Sequence, residues 1–200
     1  MVNMVLTRTY SAPAFDKKEI FRYAGVRGGA PELDTLLQEC LNEVESKLVY
    51  RVCYREFAVT HHDSYLDLGF IKTESMGLKK NLFCCESIVL FAATVGIEID
   101  RLIARYATVS PTKSLLFQAI GAERIESLCE AFCREVAEEK AKIGFKTRPR
   151  FSAGYGDFPL EVQKEIFAVL DCSRKIGLTL NQSLLMSPSK SVTAIIGVGK

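Results

Sequence analysis

Ile88-Val89-Leu90-Phe91-Ala92-Ala93 is an unbroken apolar run closed by Gly96. Its length suits a strand buried on both faces at the centre of a sheet. Upstream, between Leu48 and Val59, the pattern has period two, with Tyr50, Val52 and Tyr54 alternating with Arg51, Cys53 and Arg55; this predicts a half-buried strand. After a turn at His61-His62-Asp63, Leu66, Leu68 and Phe70 alternate in a second, shorter strand placed to pair with the first. Downstream, Ser191-Val192-Thr193-Ala194-Ile195-Ile196 is the final strand. Strands of this kind predict a mainly antiparallel sheet.

Helical signals fill the intervals. Asp16-Lys17-Lys18-Glu19 has the form of a capping box and opens a short helix that stops at Gly25. A turn at Gly28-Gly29-Ala30-Pro31 follows, then Leu33, Leu36, Leu37, Cys40 and Leu41 recur at helical spacing to about Lys47. Ile99, Leu102, Ile103 and Tyr106 mark another helix. Ser110-Pro111 supplies a cap and a first-turn proline for the longest one, reaching about Lys142. In it Leu116, Ile120, Ile125, Leu128, Phe132 and Val136 form the packing stripe, with Glu123, Glu126 and Glu130 on the other side. Lys146 to Gly156 reads as an extended connection. Pro159 opens a helix through Leu170 that buries Ile166, Phe167 and Leu170. The fold class is α+β, a mainly antiparallel twisted sheet packed with several helices. One domain spanning residues 1–200 without a linker is expected.

Composition narrows the function classes. A net charge of +2 gives no field that argues for nucleic acid or an acidic membrane. No apolar run approaches the roughly 18 residues of a membrane span, and Met1 to Arg8 lacks a secretory signal. A soluble, cytoplasmic protein is the expectation. Cys40, Cys53, Cys84, Cys85, Cys129, Cys133 and Cys172 sit within apolar patterns and read as reduced core thiols.

Several chemistries lack their residues. His61 and His62 are adjacent and have no C-x-x-C nearby, and Cys129 and Cys133 lack two further ligands, so no metal site is expected. Gly197-Val198-Gly199-Lys200 lacks the first glycine and the Ser/Thr of a phosphate loop, and Gly154-Tyr155-Gly156 lacks the third glycine of a dinucleotide fingerprint. What remains is Arg150-Phe151-Ser152-Ala153-Gly154-Tyr155, which places a fixed cation, a permissive glycine and an aromatic ring within one short stretch. Arg150 suits a carboxylate, Tyr155 a heterocycle or sulfonium, and the backbone of Ser152 to Gly154 an adenine or ribose edge. The competing readings are a surface salt bridge for Arg150 and an ordinary turn with a buried ring for Gly154-Tyr155.

This R-x-x-x-G-Y run resembles the activation domain of cobalamin-dependent methionine synthase. The order of features supports the resemblance: Cys129-Glu130-Ala131-Phe132 in a helix, then Arg150 to Tyr155, a leucine-rich helix, Leu180-Asn181-Gln182-Ser183, and Pro188 before Ser191-Val192. The resemblance implies an S-adenosylmethionine site formed by Arg150, Gly154 and Tyr155, a backbone contact at Ser152, and carboxylates from Asp16 and Glu130. Helix capping by Asp16 and pairing of Glu130 with Arg134 are the alternatives for those two. It further implies a site with no catalytic acid, base or nucleophile. In the family the domain presents S-adenosylmethionine to a corrinoid oxidised to cob(II)alamin while a flavodoxin-like donor supplies an electron. These 200 residues contain no corrinoid, folate or homocysteine module. The expectation is therefore a reactivation subunit acting in trans on methionine synthase, whose cobalamin module is the partner. The alternative is a docking or S-adenosylmethionine-sensing module with no catalytic role. The sequence departs from the family's pattern at Gly156-Asp157-Phe158-Pro159.

Overall fold

The computed structural model describes residues 4–26 and 31–200; positions 28–30 of the expected turn before Pro31 lie outside them. The chain runs β1 (Leu6–Tyr10), α1 (Lys17–Tyr23), α2 (Pro31–Val44), β2 (Tyr50–Ala58), three two-residue strands β3 (Thr60–His61), β4 (Leu66–Asp67) and β5 (Lys72–Thr73), α3 (Met76–Asn81), β6 (Cys85–Thr94), α4 (Glu98–Val109), α5 (Pro111–Ala141) and β7 (Lys146–Thr147). After one 3-10 turn at Leu160–Val162 come α6 (Gln163–Leu170), α7 (Cys172–Ile176), the strands β8 (Thr179–Leu180) and β9 (Met186–Ser187), and β10 (Ser191–Gly199). It is an α+β fold.

The main sheet has strand order β1-β2-β6-β10-β7, and every pairing is antiparallel. The apolar run of β6 is its middle strand, as expected. Side chains alternate across a strand, so β6 serves two cores. Val89, Phe91 and Ala93 face a cluster with α1, α2, α4 and α5, while Ile88, Leu90 and Ala92 face one with α3, α6 and α7. β10 divides likewise, Ala194 and Ile196 to the first cluster and Ile195 to the second. Burial on both faces is why no polar residue interrupts Ile88–Ala93.

The long helix α5 begins at Ser110, whose hydroxyl accepts from the Lys113 amide, and Pro111 occupies its first turn. Leu116, Ile120, Ile125, Leu128, Phe132 and Val136 are buried. Phe132 lies between Phe91 and Tyr54, with centroids 4.8 and 5.2 Å away, a setting in which truncation to alanine typically costs about 3–5 kcal/mol.

Three readings are corrected, and one strand had gone unread. The segment Leu66 to Phe70 does not pair with the long strand β2; β4 pairs instead with β3 and β5 in a separate three-stranded sheet. β1 was not visible as a strand, because Leu6 to Tyr10 is mixed polar and lies at the sheet edge, half-buried on one side only. Glu123 does not share the solvent face of α5; it is 2% exposed beside Arg124, which is fully buried. Cys84 is not a packing residue but is exposed, at a backbone φ of 61° that lifts its side chain out of the core; Cys133 is half-buried and the other five thiols are buried.

Candidate ligand-binding groove

The site is built at the open edge of β10. β7 pairs with β10 only at Val198 and Gly199. Further along that edge, Phe151 donates to the Ile195 carbonyl at 2.9 Å and accepts from the Ile195 amide at 2.8 Å, and Arg148 donates to the Gly197 carbonyl at 2.8 Å. Antiparallel bonding alternates between edges. Thr193, two residues before Ile195, therefore turns its amide and carbonyl away from β6, toward the Arg150–Tyr155 loop.

The loop is held at its far end. Gly154 has φ +89° and donates to the Phe158 carbonyl at 2.8 Å, and a Cβ added there would approach the Leu160 side chain to 3.1 Å. Glycine is required to close this turn. Gly154 is not itself in the cavity wall; the turn it closes sets its neighbours Ala153 and Tyr155, which are. Ala153 and Phe158 are buried in the second core cluster. The Asp157 carboxylate accepts from the Ser75 hydroxyl (2.6 Å) and from the amides of Met76 (2.6 Å) and Gly77 (3.1 Å), tying the loop to the start of α3. The Ser75 bond, with the Gly77 and Met76 amides, holds its carboxyl below the usual aspartate value despite some desolvation.

Between the loop, α5 and β10 lies a cavity of about 450 Å³, lined by Glu126, Arg150, Phe151, Ser152, Ala153, Tyr155, Gln163, Met186 and Ser191 to Thr193. That volume lies within the usual range for small-molecule sites. Tyr155 is 69% exposed and stands at the mouth as a rim residue, not as a buried ring. Arg150 forms an ion pair with Glu126. Burial opposes the Arg150 charge, but Cys129 and Glu126 outweigh it and raise its pKa, so the guanidinium stays charged.

Glu126 also lines two adjoining clefts, of about 230 and 280 Å³. The larger carries Asp16, Glu19, Arg22, Tyr23, Glu123 and Glu130, with Arg22 paired to Glu19, so carboxylates predominate. The groove thus runs from the cation Arg150, past Glu126, to an acidic wall.

Arg124 builds that wall. It donates to the carbonyls of Pro13 and Ala14 (2.9 Å to Ala14), pairs with Glu123, and lies 4.3 Å over the Phe15 ring. Glu123 in turn accepts from the Asp16 amide at 3.4 Å and the Ser127 hydroxyl at 2.7 Å. The segment before α1 is thereby fixed against α5. Asp16 caps α1 through Oδ1, which accepts from the amides of Lys18 and Glu19. Its Oδ2 has no hydrogen bond among the described residues, so capping and lining the groove are compatible roles. Glu130 is exposed and makes no ion pair among the described residues; the pairing with Arg134 does not form.

Arg150, Ser152 and Tyr155 therefore share one cavity, and Asp16 and Glu130 share the cleft beside it. Glu126 at the junction and Gln163 in the cavity wall were not anticipated. The only hint of Glu126 was its position one helical turn before Glu130; nothing around Gln163 marks it. Among the described residues no cluster of three metal-ligating side chains occurs, and no helix is long and apolar enough to cross a membrane.

A twisted antiparallel sheet with helices on both faces, opened at one strand edge into a groove, makes this an α+β domain. The chain belongs to the family described as the activation domain of vitamin B12 dependent methionine synthase, which residues 61–199 match. The crystal structure of the MetH reactivation domain bound to AdoHcy superposes with a TM-score of 0.69 over 97% of this chain and 78% of that chain, at 17% identity. At that identity the likeness establishes the fold. No curated protein matches the chain.

Proposed function

We propose that this chain binds S-adenosylmethionine and supports, in trans, the reductive methylation of a cob(II)alamin carried by a methionine synthase module, with a flavodoxin-like protein as electron donor. The observation that carries the reading is the groove itself: Arg150 and Tyr155 in one cavity, continuous through Glu126 with the acidic wall of Asp16 and Glu130, on a chain of the activation-domain family.

The residues fit the ligand's charges. The guanidinium of Arg150 matches the α-carboxylate bidentately. Glu126, Glu130 and the free oxygen of Asp16 face the ammonium and sulfonium. Ser152 and the open edge at Thr193 offer main-chain partners, and Tyr155 covers the mouth. S-Adenosylmethionine supplies an electrophilic methyl group when bound, and the nucleophile is the partner's corrinoid. The chain's own residues have only to orient the ligand and exclude water, so a groove without an acid–base dyad is sufficient.

The test is isothermal titration with S-adenosylhomocysteine, followed by a reactivation assay with an oxidised corrinoid protein and a reductant. Saturable binding is expected, weakened by about tenfold or more in Arg150→Ala as a charge-assisted contact is lost, with reactivation lost in parallel. Absence of saturable binding would overturn the reading. Binding without any reactivation would instead favour a sensing or docking module.

A further inference from the structure

The 450 Å³ cavity takes two parts of its wall from one short stretch of chain: Met186, in β9, and Ser191 to Thr193, at the start of β10, with only Ser187 to Lys190 between them. Ser189 and Lys190 also line the adjoining 230 Å³ cleft. The seat of this turn therefore sets how the two parts of the wall face each other. It is tied down by Asp100, in α4, which lines none of the three clefts. Asp100 Oδ2 accepts from the Ser189 amide at 3.0 Å, and Oδ1 accepts from the Ser189 hydroxyl. Beside it the stem of Lys190 lies over Gly121 of α5, where an added Cβ would meet the lysine Cγ at 2.8 Å and Ile99 at 2.9 Å. A glycine inside a helix is unfavourable, and here it leaves the room that the turn occupies. The contacts that follow hold the strand: the Val95 amide donates to the Lys190 carbonyl at 3.2 Å, and the Ser191 hydroxyl meets Thr94 Oγ1 and the Pro188 carbonyl, both at 2.8 Å.

From these contacts we infer that Asp100 is a positioning residue for ligand binding: acting through Ser189, it fixes the turn that joins Met186 to Ser191–Thr193 and so keeps both in place around the ligand. This inference rests on the S-adenosylmethionine reading of the groove. One carboxylate that takes both the amide and the hydroxyl of a single residue fixes that residue's place and its orientation, and such bonds are stronger than neutral ones. The competing action of Asp100 is through charge. Burial lowers the pKa of Lys190 and Asp100 opposes that shift, so the carboxylate also helps to keep the ammonium charged. The two actions separate on substitution. Asparagine loses the charge but keeps an acceptor for the Ser189 amide and offers a donor to its hydroxyl oxygen, whereas alanine loses both bonds and the charge.

The experiment is isothermal titration of the wild-type chain, Asp100→Ala, Asp100→Asn, Ser189→Ala and the Asp100→Ala/Ser189→Ala double variant with S-adenosylhomocysteine, the stoichiometry giving the folded fraction of each protein. Asp100→Ala is expected to bind about tenfold more weakly at unchanged stoichiometry, the worth of one charge-assisted hydrogen bond. Asp100→Asn should stay within about threefold of wild type, since its amide can rebuild both bonds. Ser189→Ala, which cuts the hydroxyl bond from the other side, should weaken binding alone and add nothing to Asp100→Ala. Wild-type affinity in Asp100→Ala, a fall in stoichiometry with the affinity of the remainder unchanged, an asparagine variant as weak as the alanine one, or additive losses in the double variant each overturn the role of Asp100 and leave the groove's assignment intact. Absence of saturable binding by the wild type overturns both.

Discussion

Arg150 meets Glu126 across the groove, so an incoming carboxylate has to share the guanidinium with a carboxylate already present. The planar five-donor fork of arginine can do so while keeping paired bonds to the newcomer; the three donors of a lysine ammonium cannot form that two-pronged match. Arg150→Lys should therefore retain the charge yet bind S-adenosylhomocysteine roughly tenfold more weakly, the worth of one charge-assisted hydrogen bond, as read by titration. Gly154 makes a different demand. Its φ of +89° and the 3.1 Å approach to Leu160 leave no relaxed place for a Cβ, so Gly154→Ala should destabilise the fold by about 1–2 kcal/mol, measured as a lower urea midpoint. Arg150, Gly154 and Tyr155 were legible because they are neighbours in the chain. Glu126 and Gln163 were not: a glutamate on a helix and a glutamine near a helix start are ordinary residues until folding brings them to one cavity wall.

At the scale of elements, two tethers place the groove's walls. The Arg124–Glu123 pair fixes the start of α1 on α5, and its burial makes it sensitive to loss of one partner, because the other is left as an uncompensated charge. Arg124→Met should cost about 3–5 kcal/mol in chemical denaturation, and should weaken ligand binding by releasing Asp16. The second tether is Asp157 on α3. Its carboxyl titrates below the ordinary aspartate range when folded, so its contribution is present above the unfolded-state pKa and is lost as pH falls through the lower folded value. The stability gap between wild type and Asp157→Asn should accordingly be largest near neutrality and close in acid, which denaturation across pH will show. Long elements such as β6, an unbroken apolar run, and α5, a helical stripe, could be read from sequence, since burial imposes its pattern on them. β1 and the two-residue strands could not, because at an edge or in a hairpin pairing depends on partners distant in the chain. Arg124 was equally hidden, a charge in the middle of a helix whose partners are main-chain carbonyls more than a hundred residues earlier.

Over the whole molecule, a net charge of +2 conceals a groove whose one wall gathers Asp16, Glu19, Glu123, Glu126 and Glu130 around the single cation Arg22; composition averages away a polarity that only the fold separates. Ligand binding should register globally. At a free ligand concentration of 100 times Kd the folded state gains about 2.7 kcal/mol, which for a chain of this size corresponds to a rise in Tm of roughly 5–11 °C, measurable by scanning fluorimetry with S-adenosylhomocysteine and absent in Arg150→Ala. The two core clusters on opposite faces of the sheet bear on this as well. Asp16 and Glu126 belong to the layer of α1 and α5, whereas the Arg150–Tyr155 loop is rooted through Ala153 and Phe158 in the layer of α3 and α6. A chain in which either layer had come away from the sheet would keep one half of the recognition surface and never both. Under the proposed function, competence to hold the ligand would thus certify complete assembly, and a misfolded copy would be silent rather than partly active.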